Sequence, residues 1–183
     1  MGYYDAVTKQ RRKAIYSFAD KIRNLLDLKT PVDLHKVTED FLKGEISEKR
    51  LDDDISGKIE KAGGSFRITL NSRHPPNRKN FTIAHELGHL FLHMGYITDK
   101  EKWDAVNEYI DSPYCRIGYS EEEYEANQFA GALLMPEGEY KEFVRENKDP
   151  DGFIDISKIS GHFDVSDDAA RTRGRWLEIF RWN

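Results

Sequence analysis

His85-Glu86-Leu87-Gly88-His89 sets two imidazoles four residues apart, with a carboxylate beside the first. On an α-helix, residues at that spacing differ by about 40° in direction and roughly 6 Å in height, so both rings can turn toward one ion. Neutral imidazole is a good zinc ligand, and Glu86 projects from the flank of the pair, where it can take a proton from a water beside the ion. The pattern is H-E-x-x-H, a helical zinc motif of hydrolytic enzymes. Phe81, Ile83, Ala84, Leu87, Leu90 and Phe91 supply apolar surface to bury such a helix. Two solvated histidines on an amphipathic helix would read the same way, so a third ligand decides the matter.

Catalytic zinc takes three protein ligands and keeps one position open. His93 lies one turn further on, but on a straight helix it stands about 12 Å in height from His85, too far to share an ion with bonds of about 2 Å. It reads as a helix-end residue or as support behind a ligand. The acidic helix expected over 120–135 offers Glu121, Glu122, Glu123 and Glu125. Helical periodicity puts Glu123, Asn127, Ala130 and Leu134 on one face with Ala126 beside it, and the two alanines would let this helix approach the histidine helix closely. Asn127 can accept the ring N–H of a ligating histidine. Glu121, Glu122 and Glu125 read as solvated. One conflict remains: Ser120 and Glu123 also form a capping box, and a Glu123 carboxylate turned back to the Ser120 amide could not ligate.

The surrounding elements follow from pattern. An amphipathic helix is expected over 5–28, with Lys9, Arg11, Arg12 and Lys13 on its solvated face. A second helix begins at Thr30-Pro31 and runs to Leu42. Strands are expected over 45–51 and 56–62, and Gly63-Gly64 marks a hairpin into a strand over 65–71 with one buried face. Phe81–His93 is helical, a short helix is expected over 100–110, and two further helices over 155–163 and 166–180. The fold class expected is α+β: a small antiparallel sheet of about three strands packed on the active-site helix and the glutamate helix, with a helical C-terminal part. Three regions result, an N-terminal amphipathic helix (1–30), a zinc-binding core (31–150) and a C-terminal helical pair (151–183).

Length and charge bound the remaining possibilities. With 183 residues, 38% of them hydrophobic and 12% aromatic, the chain can bury a core and is neither fibrous nor disordered. Its longest apolar run, Phe129–Pro136, is far short of the roughly eighteen residues that span a bilayer. Charges throughout the first thirty residues leave no secretory leader to expect. One cysteine, Cys115, cannot form an internal disulfide, and a cytoplasmic location is the expectation. The net charge of −5 argues against non-specific nucleic-acid binding. The terminal helices carry Arg171, Arg173 and Arg175, yet residues 150–183 hold five basic and six acidic side chains, so direct DNA binding is not expected. Ile156, Ile159, Phe163, Val165, Trp176, Leu177 and Phe180 should close over the core instead, leaving the arginines to solvent or an acidic partner.

The run 78–89 (RKNFTIAHELGH), followed by Glu123-Tyr124-Glu125-Ala126-Asn127-Gln128-Phe129-Ala130 and Leu133-Leu134-Met135-Pro136, resembles the ImmA/IrrE metallopeptidases. The strand Ile68-Thr69-Leu70-Asn71 and the segment Phe163-Asp164-Val165-Ser166 match as well, so the resemblance covers most of the chain from about residue 30. It implies a gluzincin-type site binding one Zn2+ per chain through His85, His89 and Glu123, with Glu86 as catalytic acid and base. It also implies cleavage of a protein partner, a helix-turn-helix repressor of a mobile element or stress response. Asn80 departs from the family, which favours a basic residue there. An extended substrate is expected to pair with the strand Ile68, Thr69, Leu70 and Asn71. The oxyanion donor could be Tyr114, Tyr119, His74 or His93. A non-proteolytic binding module for a repressor or a toxin–antitoxin partner is the rival reading, though a pure binder has no use for Glu86.

Overall fold

The structure is a computed structural model that describes residues 7–106 and 120–182. Thr8 opens helix α1 (Lys9–Leu25), its hydroxyl accepting the Arg11 amide. Asp33 likewise opens α2 (Leu34–Lys36), which continues into a π-helical turn (Val37–Phe41). Three strands follow, β1 (Glu45–Lys49), β2 (Gly57–Ala62) and β3 (Ser65–Asn71). Gly63, at φ +60°, makes the tight turn between β2 and β3.

The fold is α+β with a three-stranded sheet in the order β1-β3-β2, but the sheet is mixed where an antiparallel one was expected. β2 pairs antiparallel with β3 through the hairpin, while β1 pairs parallel with β3 on its other side. Residues 50–56 carry the chain from one sheet edge to the other, a non-local step that strand patterns do not encode. β3 is therefore central and covered on both faces. Phe66, Ile68 and Leu70 are fully buried, and Thr69 and Asn71 are each only 1% exposed. Burying each large apolar side chain contributes roughly 1.5–3 kcal/mol, and a one-residue slip would put Arg67 in their place, so the register is strongly specified.

Helix α3 (Pro76–Gly88) begins five residues earlier than the apolar pattern suggests, because Pro76 at its first position has a suitable fixed φ and needs no N–H partner. It continues into a π-helical turn (His89–His93) closed by the Met94 amide on the His89 carbonyl. Asn80 ties α3 to the start of α2, donating to Val32 O at 2.8 Å and accepting from Leu34 N at 3.1 Å. A basic side chain could not do both. After α4 (Lys100–Ala105) come α5 (Glu121–Leu134), α6 (Glu137–Asn147), α7 (Ile156–Phe163) and α8 (Asp167–Trp176). α6 was not expected from the sequence. Pro136, which stops α5, is also the N-cap residue of α6. No helix among the described residues is long and apolar enough to cross a membrane.

Helix α5 lies at the centre and is buried along most of its length, against α1 on one side and α3 on another. A buried helix end leaves carbonyls that need donors. Arg23 of α1 reaches Leu133 O at 2.6 Å, and Arg173 of α8 reaches Met135 O at 3.0 Å. Arg173 is fully buried, with its guanidinium 4.2 Å from the Tyr16 ring centroid, so it is not left to solvent as its charge alone suggested. The other terminal residues pack apolar surface: Ile159, Phe163, Val165 and Leu177 are buried, and Tyr140 of α6 stacks on Phe163 at 5.7 Å.

Replacing Arg23 by Met keeps much of the volume but strips the donor from a buried carbonyl. Unfolding in urea should show a loss of about 1–3 kcal/mol, the desolvation cost of one unpaired group. An unchanged midpoint would mean that the α5 terminus does not depend on this cap.

Candidate metal centre

Two helices bring the candidate ligands together, and their separation is set by one glycine. A Cβ on Gly88 would lie 2.9 Å from the Ala126 Cα and 3.2 Å from the Ala126 carbonyl oxygen, so only glycine lets α3 sit this close to α5. His89 follows Gly88 directly, and Glu123 lies one turn before Ala126. His85 Nε2 is 3.1 Å from His89 Nε2 and 3.3 Å from Glu123 Oε2, and His89 Nε2 is 3.1 Å from Glu123 Oε1. Ligands bonded tetrahedrally at about 2.0–2.1 Å stand about 3.3–3.4 Å apart, so this triangle has the size that zinc requires. Glu123 Oε1 is buried and accepts no well-aligned hydrogen bond, which fits an atom whose partner is a cation. The donors of His85, His89 and Glu123 could thus hold a metal ion.

The capping conflict is resolved in this arrangement. Ser120 Oγ accepts the Glu123 amide at 3.2 Å, but the Glu123 side chain turns to the histidines, so the capping box forms by half. Burial pushes the Glu123 carboxyl up, and the two facing imidazoles outweigh it and hold the group well below the usual carboxylate range.

Behind the triangle, His85 Nδ1 meets Asn127 Oδ1 at 3.1 Å. His89 Nδ1 meets His93 Nδ1 at 2.9 Å, and His93 Nε2 meets Glu125 Oε2 at 3.2 Å. Glu125 is buried, not solvated, because Arg11 from α1 grips both its oxygens. Burial pushes the Glu125 carboxyl up, but hydrogen bonds from Arg11 and His93 outweigh that and bring it below its ordinary value. Burial, and then the neighbouring His89, push the His93 imidazole down to about 4. Sequence spacing could not find this group, since Arg11 and Glu125 are far apart in the chain.

A cavity of about 220 Å³ opens on the triangle, lined by Asp54, Ser56, Gly57, Arg78, Phe81, Thr82, His85, Glu86, Glu123 and Asn127. Glu86 is 1% exposed. Gly57, the first residue of β2, sits where a Cβ would be 2.4 Å from Thr82 Cγ2 and 3.5 Å from Glu86 Oε1. Arg78 stands on the cavity wall, its Nη2 donating to Ser56 Oγ at 3.1 Å.

The expected substrate strand needs correction. Ile68, Thr69, Leu70 and Asn71 lie in the central β3, and both backbone edges are already paired. The strand that reaches the cavity is β2, whose second edge pairs with no strand among the described residues. Of the oxyanion candidates, His93 has both ring nitrogens engaged behind His89, and His74 does not line the cavity. Tyr114 and Tyr119 lie outside the described residues.

The sequence matches the family model of the IrrE N-terminal-like domain, Peptidase M78, over residues 33–173. The chain belongs to that family. Among solved structures, a Mycobacterium tuberculosis transcriptional regulator is similar at a TM-score of 0.62 and 17% identity, over 88% of this chain and 46% of that one. The chain thus spans about half the length of that regulator, and at this identity the likeness is one of fold. No curated protein shows significant similarity. For a Peptidase M78 domain, the metallopeptidase-type scaffold and the His85, His89 and Glu123 cluster are consistent with each other.

Gly88→Ala tests the close approach. The added methyl meets helix backbone, which cannot yield as a side chain can, so overpacking should cost about 1–3 kcal/mol and lower the melting temperature. Ala126→Gly in the same chain should recover little, because the contact is to Cα and carbonyl. A fully stable Gly88→Ala protein would show that the helices are free to part.

Proposed function

We propose that this protein is a zinc-dependent endopeptidase that hydrolyses a peptide bond in a protein partner. The carrying observation is the triangle of His85, His89 and Glu123 at the edge of a cavity that also holds Glu86. When bound, zinc supplies Lewis-acid chemistry, polarising a carbonyl and bringing the pKa of water toward neutrality. Glu86 then takes the water proton on its carboxylate and passes it to the nitrogen of the leaving amine, so the products are a carboxylate terminus and an amine terminus. Asn127 and His93 orient the two ligand rings from behind. Gly57, having no side chain, leaves space beside the Glu86 carboxyl, which lines the same cavity.

An extended substrate segment pairs with the edge of β2 that no strand among the described residues occupies, with main-chain hydrogen bonds carrying it past Glu86. A helix-turn-helix repressor is the substrate class this reading favours. The family membership supports it, together with the resemblance of the runs 78–89 and 123–136 to metallopeptidases of that kind. The non-proteolytic binding module is the second reading, and the buried Glu86 carboxylate at the cavity counts against it.

Glu123→Ala should reduce bound zinc to a small fraction of the wild-type content while circular dichroism stays near native. Glu86→Gln should keep zinc and partner binding and lower the rate of cleavage on a gel by at least 100-fold, the range expected for loss of a general base. Equal cleavage by wild type and Glu86→Gln defeats the mechanism. Zinc retained in Glu123→Ala defeats the ligand assignment, and partner binding with no cleavage by wild type selects the binding module.

A further inference from the structure

Helix α1 lies before the residues that match the family, yet it reaches the candidate ligands through an unbroken chain of polar contacts. Arg11 donates from Nε to Glu125 Oε1 at 2.5 Å and from Nη2 to Glu125 Oε2 at 2.6 Å. His93 Nε2 lies 3.2 Å from Glu125 Oε2, and His93 Nδ1 lies 2.9 Å from His89 Nδ1. Glu125, His93 and His89 are buried, and only Arg11 has a solvent-facing side.

With His93 neutral, the direction of every hydrogen bond in this chain follows from the arginine end. A guanidinium does not give up its proton and has only donors, so the Glu125 carboxylate accepts. An ionised carboxylate has no proton to offer, so His93 Nε2 must donate to it. A neutral imidazole carries one N–H, which leaves His93 Nδ1 as an acceptor, and His89 Nδ1 must then be the donor. His89 Nε2 is therefore left with its lone pair, and that atom is the corner of the triangle with His85 Nε2 and Glu123.

We propose that Arg11, Glu125 and His93 are positioning residues that hold His89 in its metal-binding tautomer, and that the affinity of the site for zinc depends through them on helix α1. The proposal rests on the zinc reading given above. Reversing one bond in the chain would place an N–H on His89 Nε2, where it would occupy the lone pair the metal needs. His85 does not share this dependence, because Asn127 Oδ1 is its own acceptor.

The test uses the full chain with zinc alone as the probe. Chelator competition at fixed pH should show Glu125→Leu and His93→Leu binding zinc about 10–100-fold more weakly than wild type, the usual range for losing a partner of a ligating histidine. Arg11→Met, at the solvent-facing end, should fall toward the lower part of that range and remains readable if a buried substitution prevents folding. His93→Gln restores an oxygen acceptor for His89 Nδ1 and should recover much of the affinity, which a merely space-filling role would not predict. Long-range proton–nitrogen NMR on zinc-free protein reads the tautomer directly. Wild type should carry the His89 proton on Nδ1, and the Leu and Met variants should show a mixture. Folded variants with wild-type zinc affinity, or a zinc-free wild type with the proton on Nε2, would overturn the proposal. A wild type that binds no zinc but shows the Nδ1 tautomer would overturn the function reading alone.

Discussion

Contact between two helix backbones at Gly88 and Ala126 is the constraint on which the rest of the structure depends. Side chains on neighbouring helices usually hold their axes 8–10 Å apart. At this crossing α3 has no side chain, so His85 and His89 can meet a carboxylate as short as glutamate from α5. The sheet, α1 and the C-terminal helices serve that crossing by pressing on its outer sides. Phe66, Ile68 and Leu70 of β3 form the buried surface on the sheet side, and Ile15 and Ala19 of α1 bury against the core. α5 is thus held by apolar contact along its length and by two guanidinium groups at its end.

What was legible in the sequence was local. The histidine helix, the Gly63-Gly64 hairpin and the glutamate helix each announce themselves within a span of some fifteen residues, where periodicity and turn chemistry act. The pairing of β1 was not legible, because parallel strands meet only after the chain crosses the sheet. Ile68, Thr69, Leu70 and Asn71 were read as a substrate edge for the same reason, since position within a sheet is decided by strands elsewhere. Glu125 shows the complementary failure. It is charged and lies next to other acids, so composition placed it in solvent, while its partner stands in another helix. A signal was nonetheless present: Phe129–Met135 is apolar without a break, and a helix that ends apolar all round is buried, which turns even its flanking residues inward.

The π-helical turn after α3 reconciles two demands on one short segment. His85 and His89 need regular helix to share a face, whereas the next turn has to carry Leu90 and Phe91 into the core and still leave His93 beside His89. Widening the turn by one residue, with the Met94 amide bonding back to the His89 carbonyl, places His93 within 2.9 Å of His89 and gives its far nitrogen to Glu125. On a straight helix His93 would stand too far from His85 to share an ion with it, and its observed place is behind His89.

Helix α1 raises a question of boundaries. Residues 33–173 are what recurs across the family, and a segment that recurs is easily taken for one that folds. Here the two do not coincide. Arg11, Tyr16 and Arg23 give α5 hydrogen bonds to Glu125, Gln128 and Leu133 O, one in each successive stretch of that helix. A protein cut at the limits of recurrence would expose the whole flank of its central helix and strand three polar groups that the intact chain satisfies. The physical unit is longer than the inherited one. For this chain, the flank of α5 that faces α1 is therefore as much a part of the folded unit as the crossing at Gly88.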